Sequence, residues 1–80
     1  MVWYVYLLVC RDKSIYTGIT TNLERRLKQH NVGSASKYTR SRLPVKMVYS
    51  EQHASRGDAL KKEAQVKKLS RQRKIDLYLS

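Results

Sequence analysis

The chain opens on a stretch that leaves few ways to fold. Val2-Trp3-Tyr4-Val5-Tyr6-Leu7-Leu8-Val9-Cys10 is an unbroken run of β-branched, aromatic and aliphatic side chains, with no charge and no breaker. Such residues favour the pleated strand, and a strand without polar alternation must be covered on both faces. The run therefore predicts a central strand with other elements above and below it. It is too short to cross a bilayer as a helix. It also lacks the basic leader and small-residue cleavage site of a secretory signal, so a cytoplasmic protein with no membrane segment is expected. A chain of 80 residues leaves room for one small domain, 1–80.

The elements that follow can be read in order. Arg11-Asp12-Lys13-Ser14 is a polar turn and Ile15 to Ile19 a second short strand, together a hairpin. Tyr6 and Tyr16 share a face of that hairpin only if its loop has an odd length, such as Arg11 to Lys13. The odd loop is the expectation, because the chemistry considered below needs both phenols on one side. Thr21-Asn22-Leu23-Glu24 has the capping-box form and opens a helix from about Asn22 to Asn31, with Gly33 in its C-cap region. Leu23, Arg26, Leu27 and His30 recur at i, i+3, i+4 and i+7. This sets Arg26 and His30 along the packed edge and turns Arg25 away by about 100°.

Gly33 to Leu43 reads as a polar, basic loop closed by Pro44, and Val45 to Glu51 as a third strand. Ser55-Arg56-Gly57-Asp58 caps a helix reaching about Leu69. Ser70 starts a short final helix carrying Ile75, Leu77, Tyr78 and Leu79. The order β-β-α-β-α plus a short C-terminal helix gives an α+β fold: a small three-stranded antiparallel sheet flanked by helices.

Charge narrows the partners. Seventeen Lys and Arg against six Asp and Glu leave a net +11, which favours nucleic acid, anionic lipid or an acidic protein. Lys37, Arg40, Arg42 and Lys46 surround Tyr38, and seven more cations, Lys67 among them, lie between Lys61 and Lys74. Such clusters suit phosphate-backbone contact, and no base-reading helix is evident, so little sequence specificity is expected. Cys10 is the single cysteine. That excludes an internal disulfide and a cysteine-based zinc centre, and Cys10 reads as a small core residue.

Five residues stand out for chemistry. Either tyrosine alone is explained by strand packing. Together, beside Arg26 and His30, they form a pair of phenols that a neighbouring cation can draw below the usual value of about 10, fit to act as a base or to hydrogen-bond a phosphate. Arg26 is either part of an exposed basic face or a bidentate phosphate clamp. His30 is either a cation at a helix C-terminus or a member of the same site. Glu63 has Ala59, Leu60 and Val66 as helical neighbours and lies near the apolar face. It is either half of an i,i+4 ion pair with Lys67 or a ligand for one Mg2+ or Mn2+. Magnesium takes one or two carboxylates plus substrate phosphate oxygens, so binding is expected to be weak without substrate. His53 has no evident partner and reads as structural.

Tyr4-Val5-Tyr6, Tyr16-Thr17-Gly18, the segment Asn22 to His30 and the helical Glu63 together resemble the GIY-YIG nuclease superfamily, over about Val2 to Leu69. The nearest likeness is to its small, stand-alone bacterial branch. The resemblance implies a three-stranded antiparallel sheet, one divalent metal and in-line attack of water on phosphorus. It matches Tyr6 and Tyr16 to the two motif tyrosines, Arg26 to the catalytic arginine, His30 to a position held by His or Tyr, and Glu63 to the metal ligand. Tyr6 is then the base, Tyr16 and His30 organise water and phosphate, and Arg26 and the metal offset developing charge. Tyr4 replaces the namesake glycine, Thr17 replaces an isoleucine, and the asparagine many members carry beyond the metal ligand has no counterpart here.

The implied activity is metal-dependent hydrolysis of DNA phosphodiester bonds with little sequence specificity, in repair or recombination. Members of known function usually carry a further targeting domain, so a protein partner is expected. The alternatives are a non-catalytic nucleic-acid-binding protein on a nuclease scaffold, or a module docking on ribosomes or RNA.

Overall fold

The apolar run forms β1 (Trp3–Val9), and it lies where its composition demands, in the middle of an antiparallel sheet ordered β2-β1-β3. The computed structural model describes residues 1–79; Ser80, the last residue of the expected domain, lies outside them. The remaining elements are β2 (Ile15–Thr20), α1 (Leu23–Asn31), α2 (Lys37–Arg40), β3 (Lys46–His53), α3 (Arg56–Lys67) and α4 (Arg71–Leu79). Among the described residues no helix is long and apolar enough to cross a membrane.

Val5, Tyr6, Leu7 and Leu8 are all buried, so both faces of β1 are covered, and alternation sends each residue to a definite layer. Tyr6 and Leu8 join Cys10 and Val45 in a cluster closed by Tyr16, Leu23, Leu27, Leu43 and Met47, which places α1 on that face. The other face carries Tyr49, Glu51 and His53, paired with Leu7, Val5 and Trp3. There α3 docks, with Lys62 3.9 Å from Glu51 and Arg56 5.8 Å from the Trp3 ring.

The hairpin has the odd loop. The Cys10 amide donates to Ser14 and the Lys13 amide to Cys10, both at 2.9 Å. Lys13 takes the left-handed conformation at φ 72, the pattern of a three-residue loop. Tyr6 therefore faces Gly18, Leu8 faces Tyr16, and the two tyrosines share a side. Two arginines from distant segments tie down the tip: Arg42 donates to the Asp12 carboxylate at 3.0 Å, and Arg71 to the Lys13 carbonyl at 3.2 Å. Hydrogen bonds from Ser14 and then the Arg42 guanidinium hold the Asp12 carboxyl below its usual range.

Helix α1 starts one residue later than the capping box suggests. Asn22, not Thr21, is the N-cap, and its side chain accepts from the Arg25 amide at 2.9 Å. The amide that a reciprocal Glu would satisfy in a capping box is instead bonded by the Thr20 hydroxyl at 3.1 Å, and Glu24 pairs with Lys28 at 3.8 Å. Gly33, at φ 83, closes the helix as expected. Its amide bonds the His30 carbonyl and that of Ser34 bonds the Gln29 carbonyl, both at 3.0 Å, the two bonds of a Schellman cap. Ser55 caps α3 as expected, accepting from the Asp58 amide at 3.1 Å.

The expected loop from Gly33 to Leu43 contains the one-turn helix α2, capped by Ser36. So short a helix is held by tertiary contact and not by propensity; its anchor is Thr39, fully buried against α1.

Asn31 clamps the end of α1 to the entry of β3, donating to the Val45 carbonyl at 3.1 Å and accepting from the Val45 amide at 2.8 Å. Because Val45 is buried, Asn31→Ala is expected to cost about 2 kcal/mol in urea unfolding; a change of a few tenths would show that water substitutes. Thr17, which faces the α3 layer, has a buried hydroxyl with no partner among the described residues. Thr17→Val is therefore expected to stabilise by about 1 kcal/mol, read in the same titration.

Candidate active site

The site is organised by a missing side chain. A Cβ at Gly18 would stand 2.5 Å from the Tyr6 hydroxyl and 2.6 Å from the ring carbon bearing it. Only glycine therefore lets the Tyr6 ring lie across the neighbouring strand. The Tyr6 hydroxyl ends 2.9 Å from His30 Nε2, and His30 Nδ1 lies 2.8 Å from the Thr39 hydroxyl. Tyr6, His30 and Thr39 are each 0 % exposed. Three elements thus meet through one buried polar chain, running from β1 to α1 to α2.

The spacing Leu23, Arg26, Leu27, His30 does form the inward face of α1. The two leucines seat on the core, Arg26 is half-buried and His30 is buried completely. Tyr16 lies over the same group, its ring centroid 5.2 Å from that of His30 and 6.5 Å from that of Tyr6. Tyr38 stacks beyond it at 5.9 Å, with the Arg42 guanidinium 4.0 Å from its ring centre. The Arg26 Nε is buried and has no hydrogen-bond partner among the described residues.

One expectation about these groups is corrected and another is set against the geometry. A neighbouring cation was expected to lower the Tyr6 phenol, but burial, helped by Tyr16 and least by Glu63, outweighs Arg26 and pushes it up to about 12. Tyr6 is therefore a neutral phenol at physiological pH. His30 was expected to organise water and phosphate, but both ring nitrogens are occupied by Tyr6 and Thr39 and the ring is sealed from solvent. Its contacts in this arrangement are with Tyr6 and Thr39. Burial, then the charge of Arg26, moves the His30 imidazole below its ordinary value, so it is neutral as well.

Glu63 comes from α3, in the opposite layer, and reaches Tyr6 only through its charge. Its side chain is 17 % exposed and lies 3.6 Å from Lys67 Nζ, so the i,i+4 ion pair is formed. Among the described residues no group of three or more His, Cys, Asp or Glu converges. A lone hard carboxylate is unsuited to zinc but fits a magnesium-like ion that keeps most of its waters and takes substrate oxygens. On that chemistry Glu63 is the residue that would hold it, in exchange for Lys67.

The residues expected to bind nucleic acid divide. Lys37 and Arg40 are exposed on α2. Tyr38 is 39 % exposed, but part of its ring is covered by Arg42. Arg42 is committed to Asp12, the Tyr38 carbonyl and the Ser41 hydroxyl, and Lys67 to Glu63.

Gly18 and Thr39 are the residues the sequence reading missed. The glycine of Tyr16-Thr17-Gly18 was on view, whereas nothing in the sequence marks Thr39. His53, read as lacking a partner, bonds Glu51 at 2.6 Å, and Tyr49 donates to the same carboxylate at 2.7 Å. Burial works against ionising Glu51, yet the bonds from Tyr49 and His53 and the charge of Lys62 hold its carboxyl below the usual range.

A histidine kept neutral by folding links stability to protons. In the unfolded chain His30 takes its ordinary value of about 6.5, and in the folded protein a lower one. Its contribution is complete above that unfolded value and is lost as pH falls below it toward the folded one. Tyr6, Tyr16, Arg26 and Thr39 surround the ring, and none has an ordinary value in that window. Thermal stability is expected to fall between about pH 7.5 and about pH 5.5, with a shallower slope in His30→Gln; parallel slopes in melts of the two proteins would refute this.

Comparison with known proteins gives a consistent result. The GIY-YIG catalytic domain matches residues 2–76 of the chain. The UPF0213 protein CPE1444 of Clostridium perfringens is 51% identical over 77 residues, 96% of this chain and 83% of that protein. The UPF0213 protein of Syntrophus aciditrophicus is 53% identical over 75 residues, 92% of this chain and 86% of that one. The solution NMR structure of UPF0213 protein BH0048 from Bacillus halodurans superposes with a TM-score of 0.61 at 45% identity, covering 96% of this chain and 82% of that one. The structure of protein EF2693 from E. faecalis does so at 0.63 and 46%, covering 92% and 79%. With the paired tyrosines, the glycine beneath Tyr6 and the arginine of α1 in place, the chain belongs to the GIY-YIG family.

Proposed function

We propose that this protein is a divalent-metal-dependent endonuclease that hydrolyses phosphodiester bonds of DNA with little base specificity. The observation that carries the reading is the orphaned Nε of Arg26, a buried cationic donor without an acceptor beside the Tyr6–His30 pair. A buried unsatisfied donor is costly, and a phosphate oxygen is the acceptor that a chain of net +11 attracts.

A phenol at about 12 does not ionise unaided. In the proposed step Tyr6 takes a proton from the attacking water while its own proton passes to His30 Nε2, so no free phenolate forms. The hydroxide left behind forms the new bond to phosphorus as the bond to the leaving oxygen breaks. The leaving oxygen takes a proton from solvent, while His30 returns its proton to Tyr6, which releases one to water, so that both groups end neutral. Arg26 receives the non-bridging oxygens, and Tyr16 lies alongside as a hydrogen-bond donor. A magnesium or manganese ion on Glu63, when bound, supplies further positive charge at the phosphate. Since the Tyr6 hydroxyl is sealed in the free protein, engagement of phosphate by Arg26 must open it. Exposed Lys37 and Arg40 extend the path of the backbone. Flap and branched DNA of repair and recombination are the structures to test first, with a targeting protein supplying selectivity.

The sealed hydroxyl also favours a second reading, nucleic-acid binding without cleavage. Plasmid, flap and branched DNA, with an RNA control, incubated with Mg2+ or Mn2+ separate the two. Arg26→Ala and Glu63→Ala are each expected to reduce cutting by roughly 10²-fold or more. Equal cutting by all three proteins would remove the site assignment; tight binding with no cutting would support the scaffold reading.

A further inference from the structure

The chain of buried hydrogen bonds continues past His30, and its last member has a defined role. We infer that Thr39 is a positioning residue that fixes the tautomer of His30 and, through it, the direction in which the Tyr6 hydroxyl gives its proton. The effect on cleavage rests on the nuclease reading above; the tautomer does not.

Two proton arrangements fit the distances. In the first, Tyr6 donates to His30 Nε2 across 2.9 Å, His30 Nδ1–H donates to the Thr39 oxygen across 2.8 Å, and Thr39 donates to the Ser36 carbonyl at 3.4 Å. Every proton has an acceptor. In the second, Thr39 donates to Nδ1, and Nε2–H donates to the Tyr6 oxygen. The Tyr6 proton must then find another acceptor. Tyr6 is 0 % exposed and the guanidinium of Arg26 beside it is donor-only. A buried hydroxyl would be left unmatched, so the first arrangement is the one the surroundings select.

The choice matters for the proposed step. With Nδ1 protonated, Nε2 is a bare acceptor aimed at Tyr6, and the phenol oxygen turns its lone pairs toward Arg26. With Nε2 protonated, His30 cannot receive the Tyr6 proton. Thr39 holds this choice from α2, a single turn whose place depends on the Ser36 cap, where the side chain accepts from the Tyr38 amide at 3.1 Å. Its β-hydroxyl can accept from Nδ1–H while donating onward, which valine cannot do and serine can.

The test is the long-range 1H–15N correlation spectrum of the histidine rings in the 15N-labelled full chain, with DNA cleavage measured in parallel. Wild type and Thr39→Ser are expected to show a protonated Nδ1 and a bare Nε2 at His30. Thr39→Val is expected to shift His30 toward the Nε2–H form. Its cleavage is expected to fall on the order of 10-fold or more, with DNA binding unchanged and Thr39→Ser restoring the rate. A protonated Nε2 in wild type would overturn the inference outright. So would a wild-type ring pattern in folded Thr39→Val, whether or not its cleavage fell. Should Thr39→Val fail to fold, Thr39→Ala, which also lacks the hydroxyl, takes its place with the same expected and overturning outcomes. Should no protein cut DNA, the ring pattern alone decides, and the failure belongs to the nuclease reading.

Discussion

A tyrosine hydroxyl with no access to water has to be bonded from within, and the molecule is arranged around meeting that requirement for Tyr6. The ring lies on the central strand and crosses its neighbour only because Gly18 has no side chain. Its partner comes from α1, the partner's partner from α2, and the chain of donors ends on the Ser36 carbonyl at the start of that turn. A low-dielectric interior strengthens each of these bonds and raises the cost of losing any one. The same seclusion drives the phenol up and the imidazole down. Seclusion fixes the geometry and also rules out a free tyrosinate as the resting base.

Electrostatics follow the two layers of the sheet. On one, the Arg26 guanidinium stands beside two neutral aromatic groups, with no ion pair to it among the described residues. On the other, two carboxylates have cations beside them: Lys62 for Glu51 and Lys67 for Glu63. The Lys67 end of the second pair is solvent-facing, 56 % exposed, so Lys67 can leave Glu63 for an incoming phosphate at modest cost. The excess of cations keeps the surface attractive to a polyanion, while the organised site depends on contacts that salt screens poorly.

Much of this was legible because it rests on short-range pattern. The uninterrupted apolar run could only be a strand covered twice. Parity tied Tyr6 and Tyr16 to an odd loop, and the recurrence of Leu23, Arg26, Leu27 and His30 named the inward face of α1. Gly33 and Ser55 marked helix boundaries by their conformational and capping chemistry. What escaped depends on contacts between elements. Turn α2 has too few residues to announce itself and exists by virtue of Thr39 meeting His30. Asn22 took the cap from Thr21 because Thr20 had already bonded its amide. The depth at which Tyr6 and His30 are buried, which decides their protonation, is a property of the closed layers, as is the Tyr49–Glu51–His53 cluster. For Arg42 the sequence shows its charge and not its four attachments within the fold.

The double tether at the hairpin tip has a practical corollary. Surface turns between adjacent strands are ordinarily where a chain accepts extra residues, circular permutation or a fused reporter, because little else depends on them. Here Asp12 and Lys13 are the docking points for Arg42 and Arg71. The tip is therefore a junction at which the middle and the end of the chain are fastened to its beginning. A peptide spliced there would disturb an attachment point of the segment behind Tyr38 and one of the last helix at once, so this exposed turn is a poorer place to lengthen the protein than its position at the surface suggests.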